Sequence, residues 1–137
     1  MASVRVKPAF RDQGLLLLTF RYDTSIVYDA SYYDGTNHSA QYGMLVALVS
    51  DSTVGLGSSG NYPIGKLVKI EPNTCTVEVA GTIEVPYASG YAPTVGLGVT
   101  VDGAGNALAG ASPRAATERG IVLALDTTNL LAYVLLS

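Results

Sequence analysis

From about Gly43 onward the apolar residues come in short runs cut by Gly, Pro, Asn and Asp, the rhythm of strands joined by turns. Met44 to Val49 is a continuous apolar run of strand length, and Ile64 to Ile70 reads as a second strand that stops at Glu71-Pro72-Asn73-Thr74. Alternation follows. Val77 and Val79 share one face with Glu78 on the other, and Ile83 and Val85 repeat the pattern with Thr82 and Glu84 outward. Gly81 between the two halves predicts a bulge or bend that lets one long strand turn a corner. Val95, Leu97, Val99 and Val101 alternate strictly against Gly96, Gly98 and Thr100, which predicts the cleanest strand of the chain, closed by the turn Asp102-Gly103-Ala104-Gly105-Asn106. Ile121 to Leu125 and Leu130 to Leu136, joined by Asp126-Thr127-Thr128-Asn129, predict a hairpin buried on both faces or nearly so. The best helix candidate is short: Ser112 to Glu118, with Ser112 as cap and Pro113 in the first turn. Strands at this spacing predict an all-β fold, a small β-barrel or sandwich of short antiparallel strands.

Residues 1–42 lack a sustained period and read as an extended N-terminal arm, with one strand at Leu15 to Tyr22, ahead of a β-rich core domain at 43–137. Five of the nine tyrosines, Tyr22, Tyr28, Tyr32, Tyr33 and Tyr42, fall in the arm among Asp, Ser, Thr, Gly and Asn. Tyrosine buries a large ring while its hydroxyl stays hydrogen-bonded at a wet boundary, so these five are candidates for an oligomer or partner interface. Stacking of sugars on the same rings is the competing use. Thr53-Val54-Gly55-Leu56-Gly57 recurs as Thr94-Val95-Gly96-Leu97-Gly98, but the sequence after each copy diverges, as expected of chance in a Gly- and Val-rich chain.

With 137 residues the chain suits one compact domain large enough to hold a core without staples, and its single cysteine, Cys75, leaves no intrachain disulfide. Only 14% of residues are charged against 48% hydrophobic, which excludes a disordered charged tail and predicts that part of the surface is covered by other subunits or a partner. The charges are unevenly placed: Met1 to Arg21 carries Arg5, Lys7, Arg11 and Arg21 against Asp12 alone, a net +3, and the remainder is −6. An isoelectric point near 4.9 argues against nucleic acid as the main partner, so the basic segment reads as a protein-binding arm. The apolar run Leu15 to Leu18 with Phe20 is too short for a secretory signal, and no stretch approaches the ~18 apolar residues of a membrane span. A chain made in the cytoplasm and not anchored to a membrane is the expectation.

The chemical signals all meet ordinary explanations. Gly55, Gly57 and Gly60 spell G-x-G-x-x-G, yet Asn61-Tyr62-Pro63 follows where a phosphate-binding helix would begin, so a Gly/Ser loop between strands is expected. The one histidine, His38, lies in the polar stretch Thr36-Asn37-His38-Ser39, and one Cys with one His makes no zinc site within a chain. Cys75 follows a Pro-Asn-Thr turn and opens a strand, where a small half-buried side chain is the default over a Cys75–His38 pair. Asp102 and Asp126 belong to turns, and Glu78 and Glu84 to the outward face of strands. No catalytic residue, metal site or cofactor is expected.

Gly81-Thr82-Ile83-Glu84-Val85-Pro86-Tyr87, Gly98-Val99-Thr100-Val101-Asp102-Gly103-Ala104-Gly105-Asn106, Arg119-Gly120-Ile121-Val122-Leu123-Ala124 and Leu131-Ala132-Tyr133-Val134-Leu135-Leu136 resemble the small head decoration, or capsid cement, proteins of tailed double-stranded DNA phages. The resemblance covers roughly Met44 to Ser137. It implies a β-rich domain, usually a homotrimer, that binds the major capsid protein on the outer surface of an icosahedral head and reinforces the expanded shell, with no catalytic residues. It also implies an N-terminal arm that reaches the shell. That role falls to Met1 through about Tyr42, with Arg5, Lys7, Arg11 and Arg21 as capsid-binding residues. The alternative from a different class is a carbohydrate- or receptor-binding β module of a phage tail or other surface appendage, which needs exposed aromatics in a concave patch.

Overall fold

The computed structural model describes residues 16–33, 39–111 and 113–136. Its central element is the long strand that the alternation around Gly81 predicts. β5 runs Cys75–Pro86, and Gly81 in its middle sits at φ +96°, a conformation that only glycine adopts without strain. The strand changes partners there. Its first half pairs antiparallel with β4 (Pro63–Ile70) and with β1 (Leu16–Tyr22), and from Gly81 onward it pairs with β9 (Leu131–Leu136). β4 continues to β2 (Leu45–Ser50), β2 to β3 (Thr53–Gly55), and β3 meets β1 in a short parallel pairing at Arg21–Thr53 and Tyr22–Val54. The ladder β1-β3-β2-β4-β5 therefore returns to β1, while β9 and β8 (Ile121–Asp126) leave it at Gly81. The whole is a sandwich-like all-β fold, not a closed barrel: one seven-stranded sheet and a two-stranded sheet of β6 (Val99–Val101) and β7 (Ala107–Ala109).

Two apolar clusters follow from this path. Val46, Val54, Leu67, Ile70, Cys75 and Val77 fill the space inside the ladder, with Ile26 plugging it from the loop after β1. Leu45, Ile83, Val85, Val99, Val101, Val122, Val134 and Leu136 form the second cluster, where the β6–β7 hairpin lies over β5, β9 and β8. Truncating any of these fully buried leucines or isoleucines to alanine carries a penalty of roughly 2–5 kcal/mol. The inner cluster depends on close strand approach, because a side chain on Gly65 in β4 would run into the carbonyl of Glu78.

The two predicted Asp turns use one device. Asp102 Oδ1 accepts the N–H groups of Ala104 (2.7 Å) and Asn106 (3.0 Å), and its Oδ2 accepts from Asn106 Nδ2 (2.9 Å). Asp126 Oδ1 accepts from Thr128 and Asn129 (3.1 Å each) and its Oδ2 from Asn129 Nδ2 (3.0 Å).

Several expectations are corrected. Glu78 and Thr82 are buried, not outward, because β5 is covered on both faces and leaves only Thr76, Ala80, Glu84 and Pro86 partly exposed. Glu78 stands directly opposite Lys66 of β4, also buried, so opposite charges face each other across the strands. Thr100 is buried as well. The strict alternation from Val95 yields a strand only at Val99–Val101. Gly96 takes φ +91°, Leu97 N–H closes a turn on the Thr94 carbonyl (3.1 Å), and the turn docks on β8 through Gly96 N–H to Val122 O and Val122 N–H to Leu97 O (2.9 and 2.8 Å). No helix forms among the described residues. Ser112, the expected cap, lies outside them, and Pro113 to Glu118 is a loop. The β8–β9 hairpin is buried on both faces along Ala132, Tyr133 and Val134, and opens only at one end, where Ile121 and Leu135, which face each other in register, are both exposed. The two Thr-Val-Gly-Leu-Gly copies differ in shape: the first is strand β3 with its positive φ at Gly57, the second a turn with its positive φ at Gly96.

Candidate docking surface

Three consecutive leucines open β1, and none is buried: Leu16, Leu17 and Leu18 are 49%, 49% and 43% exposed. Successive residues of a strand point to opposite faces, so both faces of this half-strand present apolar surface. Its backbone is half-used too. Among the described residues, Leu16 to Phe20 pair with β5 on one side, whereas β3 reaches the other side only at Arg21 and Tyr22. An apolar strand with an unpaired edge is a ready template for another chain, and folded proteins rarely leave one uncovered.

The five candidate tyrosines divide. Tyr22 and Tyr28 pack on the inner cluster, and the Tyr22 hydroxyl donates to carbonyl oxygens at Glu71 and Pro72 (2.6 and 2.9 Å). Burial, with the nearby Cys75 and Tyr28, holds the Tyr22 hydroxyl above its usual pKa. These two rings serve the core. Tyr32, Tyr33 and Tyr42 are exposed, Tyr33 the most at 64%. Two Asp-x-Ser turns carry this segment: Asp23 Oδ1 accepts from the Ser25 N–H (2.9 Å), and Asp29 Oδ1 accepts from the Ser31 N–H (3.0 Å) and hydroxyl (2.7 Å). Gln41 stitches it to the stretch before β2, accepting from Val27 N–H and donating to Ser25 O (2.7 Å each).

Arg21, the last of the candidate capsid-binding bases, is exposed beside this edge and donates to the Asp51 carbonyl (3.2 Å). Arg5, Lys7 and Arg11, like His38, lie outside the described residues. Cys75 is fully buried where it opens β5, and burial pushes its thiol up to about 11, far from a neutral-pH nucleophile. The Gly55-x-Gly57-x-x-Gly60 segment is a strand end and a turn, with Asn61 N–H on Ser58 O (3.0 Å) and Gly60 N–H on Val101 O of β6 (2.8 Å). The exposed leucines of β1 are the feature that the sequence reading missed. They lie in the strand expected at Leu15 to Tyr22, but an apolar run does not by itself tell that its side chains stay exposed.

No protein-family model matches the chain, and no curated protein matches it either. Among solved structures its fold is similar to that of the N base of head fiber gp8.5 in bacteriophage phi29, with a TM-score of 0.56 at 17% sequence identity over 90% of this chain and 94% of that one. At that identity the likeness is one of fold.

Proposed function

We propose that this chain is a structural protein of a tailed-phage virion that attaches to the outside of the head and stabilises or decorates the shell without catalysing a reaction. The observation that carries the reading is the likeness, over 90% of the chain, to the base of a phage head fiber. The apolar, half-paired β1 supports it, because a protein that works by docking needs such a surface and an isolated monomer does not. In this reading the chain is a homotrimer, its partner is the major capsid protein, and the basic residues Arg5, Lys7, Arg11 and Arg21 steer the approach to an acidic shell. Reinforcement then follows from mass action. A protein that fits the expanded lattice better than the precursor stabilises the expanded state by about 2.7 kcal/mol per site at a free concentration of about 100 times Kd.

The test is co-sedimentation of purified protein with phage heads stripped of it, followed by DNA release against temperature. Saturable binding at a fixed stoichiometry, with release moved to higher temperature as protein is added, is the expected result. Absence of binding sinks the head-surface reading, and binding with unchanged release curves sinks reinforcement.

A further inference from the structure

Apart from the β1 edge, an open cleft of about 750 Å3 lies between the end of β2 and the turn after β3. Its volume is in the range of roughly 300–1,000 Å3 in which small ligands are held. Leu48 and Val49 give it an apolar side, while Asp23, Ser58, Asn61 and Tyr62 supply polar groups and a ring.

The glycine spacing noted in the sequence has a use here. A Cβ on Gly55 would fall 2.5–2.7 Å from the carboxyl atoms of Asp23, so this carboxylate lies flat on the β3 backbone only because position 55 has no side chain. A Cβ on Gly57 would stand 3.1 Å from Asn61 Oδ1. Both polar side chains are anchored through one atom each. Asp23 Oδ1 accepts from the N–H and hydroxyl of Ser25 (2.9 and 2.5 Å), and Asn61 Oδ1 accepts from Ser58 N–H (2.9 Å). Among the described residues Asp23 Oδ2 accepts no hydrogen bond and the Asn61 amide nitrogen donates none. Tyr62 is positioned from behind, with the Arg119 guanidinium 5.9 Å from its ring centroid, and remains 46% exposed in the cleft lining. Arg119 is itself held by carbonyls of Ile64 and Val79.

These groups select a ligand class. Asp23 repels anions, and no Lys or Arg is among the described lining residues, which disfavours phosphates and acidic ligands. A single carboxylate with one oxygen to offer falls short of the six to eight oxygens, roughly, that a hard divalent cation takes. A neutral polyol satisfies the site instead: its hydroxyls donate to a carboxylate and accept from an amide, and a C–H face packs on an aromatic ring. We propose that the cleft binds a neutral saccharide, with Asp23 Oδ2 accepting from a sugar hydroxyl, the Asn61 amide donating to another, and Tyr62 stacking on the ring.

The test is saturation-transfer NMR on the full chain against neutral mono- and disaccharides of the gluco, galacto and manno series, with inorganic phosphate as the anionic control. At least one series is expected to receive saturation, strongest on its C–H protons, with no displacement by phosphate. Tyr62→Ala is expected to weaken binding at least tenfold and Tyr62→Phe to retain it, and both change an exposed ring and leave the clusters intact. No transfer to any of the sugars, equal transfer in Tyr62→Ala, or competition by phosphate would each overturn the proposal. None of these outcomes bears on head binding.

Discussion

Glu118 shows a single carboxylate organising a loop where cap, proline and alanines predict a helix. Its Oε2 accepts the N–H groups of Ala111 and Ala115 (2.9 Å each), and Gly110 has no side chain because one would collide with this carboxylate. Those two bonds, ahead of an opposing desolvation and a helpful charge on Arg114, hold the Glu118 carboxyl below its ordinary pKa of 4.5. The sign is that of a depressed acid: the stabilisation is complete above 4.5, the unfolded value, and is lost as pH falls through the lower folded value. Glu118→Gln is therefore expected to be less stable than the parent at pH 7, with the gap closing in acid. Urea unfolding at pH 7 and pH 3 checks this, and a gap independent of pH would assign the effect to packing. The sequence shows why the helix was expected: Ser112, Pro113 and two alanines supply cap, first turn and propensity. A helix of one or two turns has little cooperativity, so a glutamate able to bind two loop N–H groups at once outcompetes it.

At the scale of elements, local chemistry decided what was legible. Gly81 announced the corner in β5, and Asp102 and Asp126 announced their turns, because each constraint acts within a few residues. The alternation from Val95 misled because period two is also met by a Gly-rich turn, and which one forms was settled by docking on Val122, a residue far along the chain. β3 and β7, three residues each, carry too little pattern to be read. β1 was expected as a strand, yet its integration between β5 and β3 rests on long-range pairing that no local signal carries. This sets where the chain tolerates truncation. A chain beginning at Leu16 keeps every described strand, whereas one beginning at Tyr22 loses β1, with Phe20 and the β5 pairing, and exposes the inner cluster. The first is expected to unfold cooperatively near the parental temperature and the second to lose its folded signal, as circular dichroism during heating would report. Equal melting of both would show that β1 is dispensable.

For the whole molecule the same strand is where the proposed assembly is open to test. Low charge density pointed to a covered surface without locating it, and the tyrosines singled out for that role split between core and exterior. Of the proposed saccharide cleft only the Gly55-to-Tyr62 loop was legible, since Asp23 joins Asn61 and Tyr62 only through the ladder that brings β1, β2 and β3 together. If the leucine edge of β1 joins protomers, the chain is expected to scatter light as a trimer, three times its 14.2 kDa mass, at micromolar concentration. Leu17→Lys separates this from a folding effect. Leu17 is exposed, so a lysine there can keep its ammonium in water within the protomer while placing a charge on the apolar edge. The variant is expected to keep its melting profile at high dilution and to shift toward the monomer in light scattering. A native chain that is already monomeric rules out the trimer, and a Leu17→Lys chain that stays trimeric moves the interface away from β1.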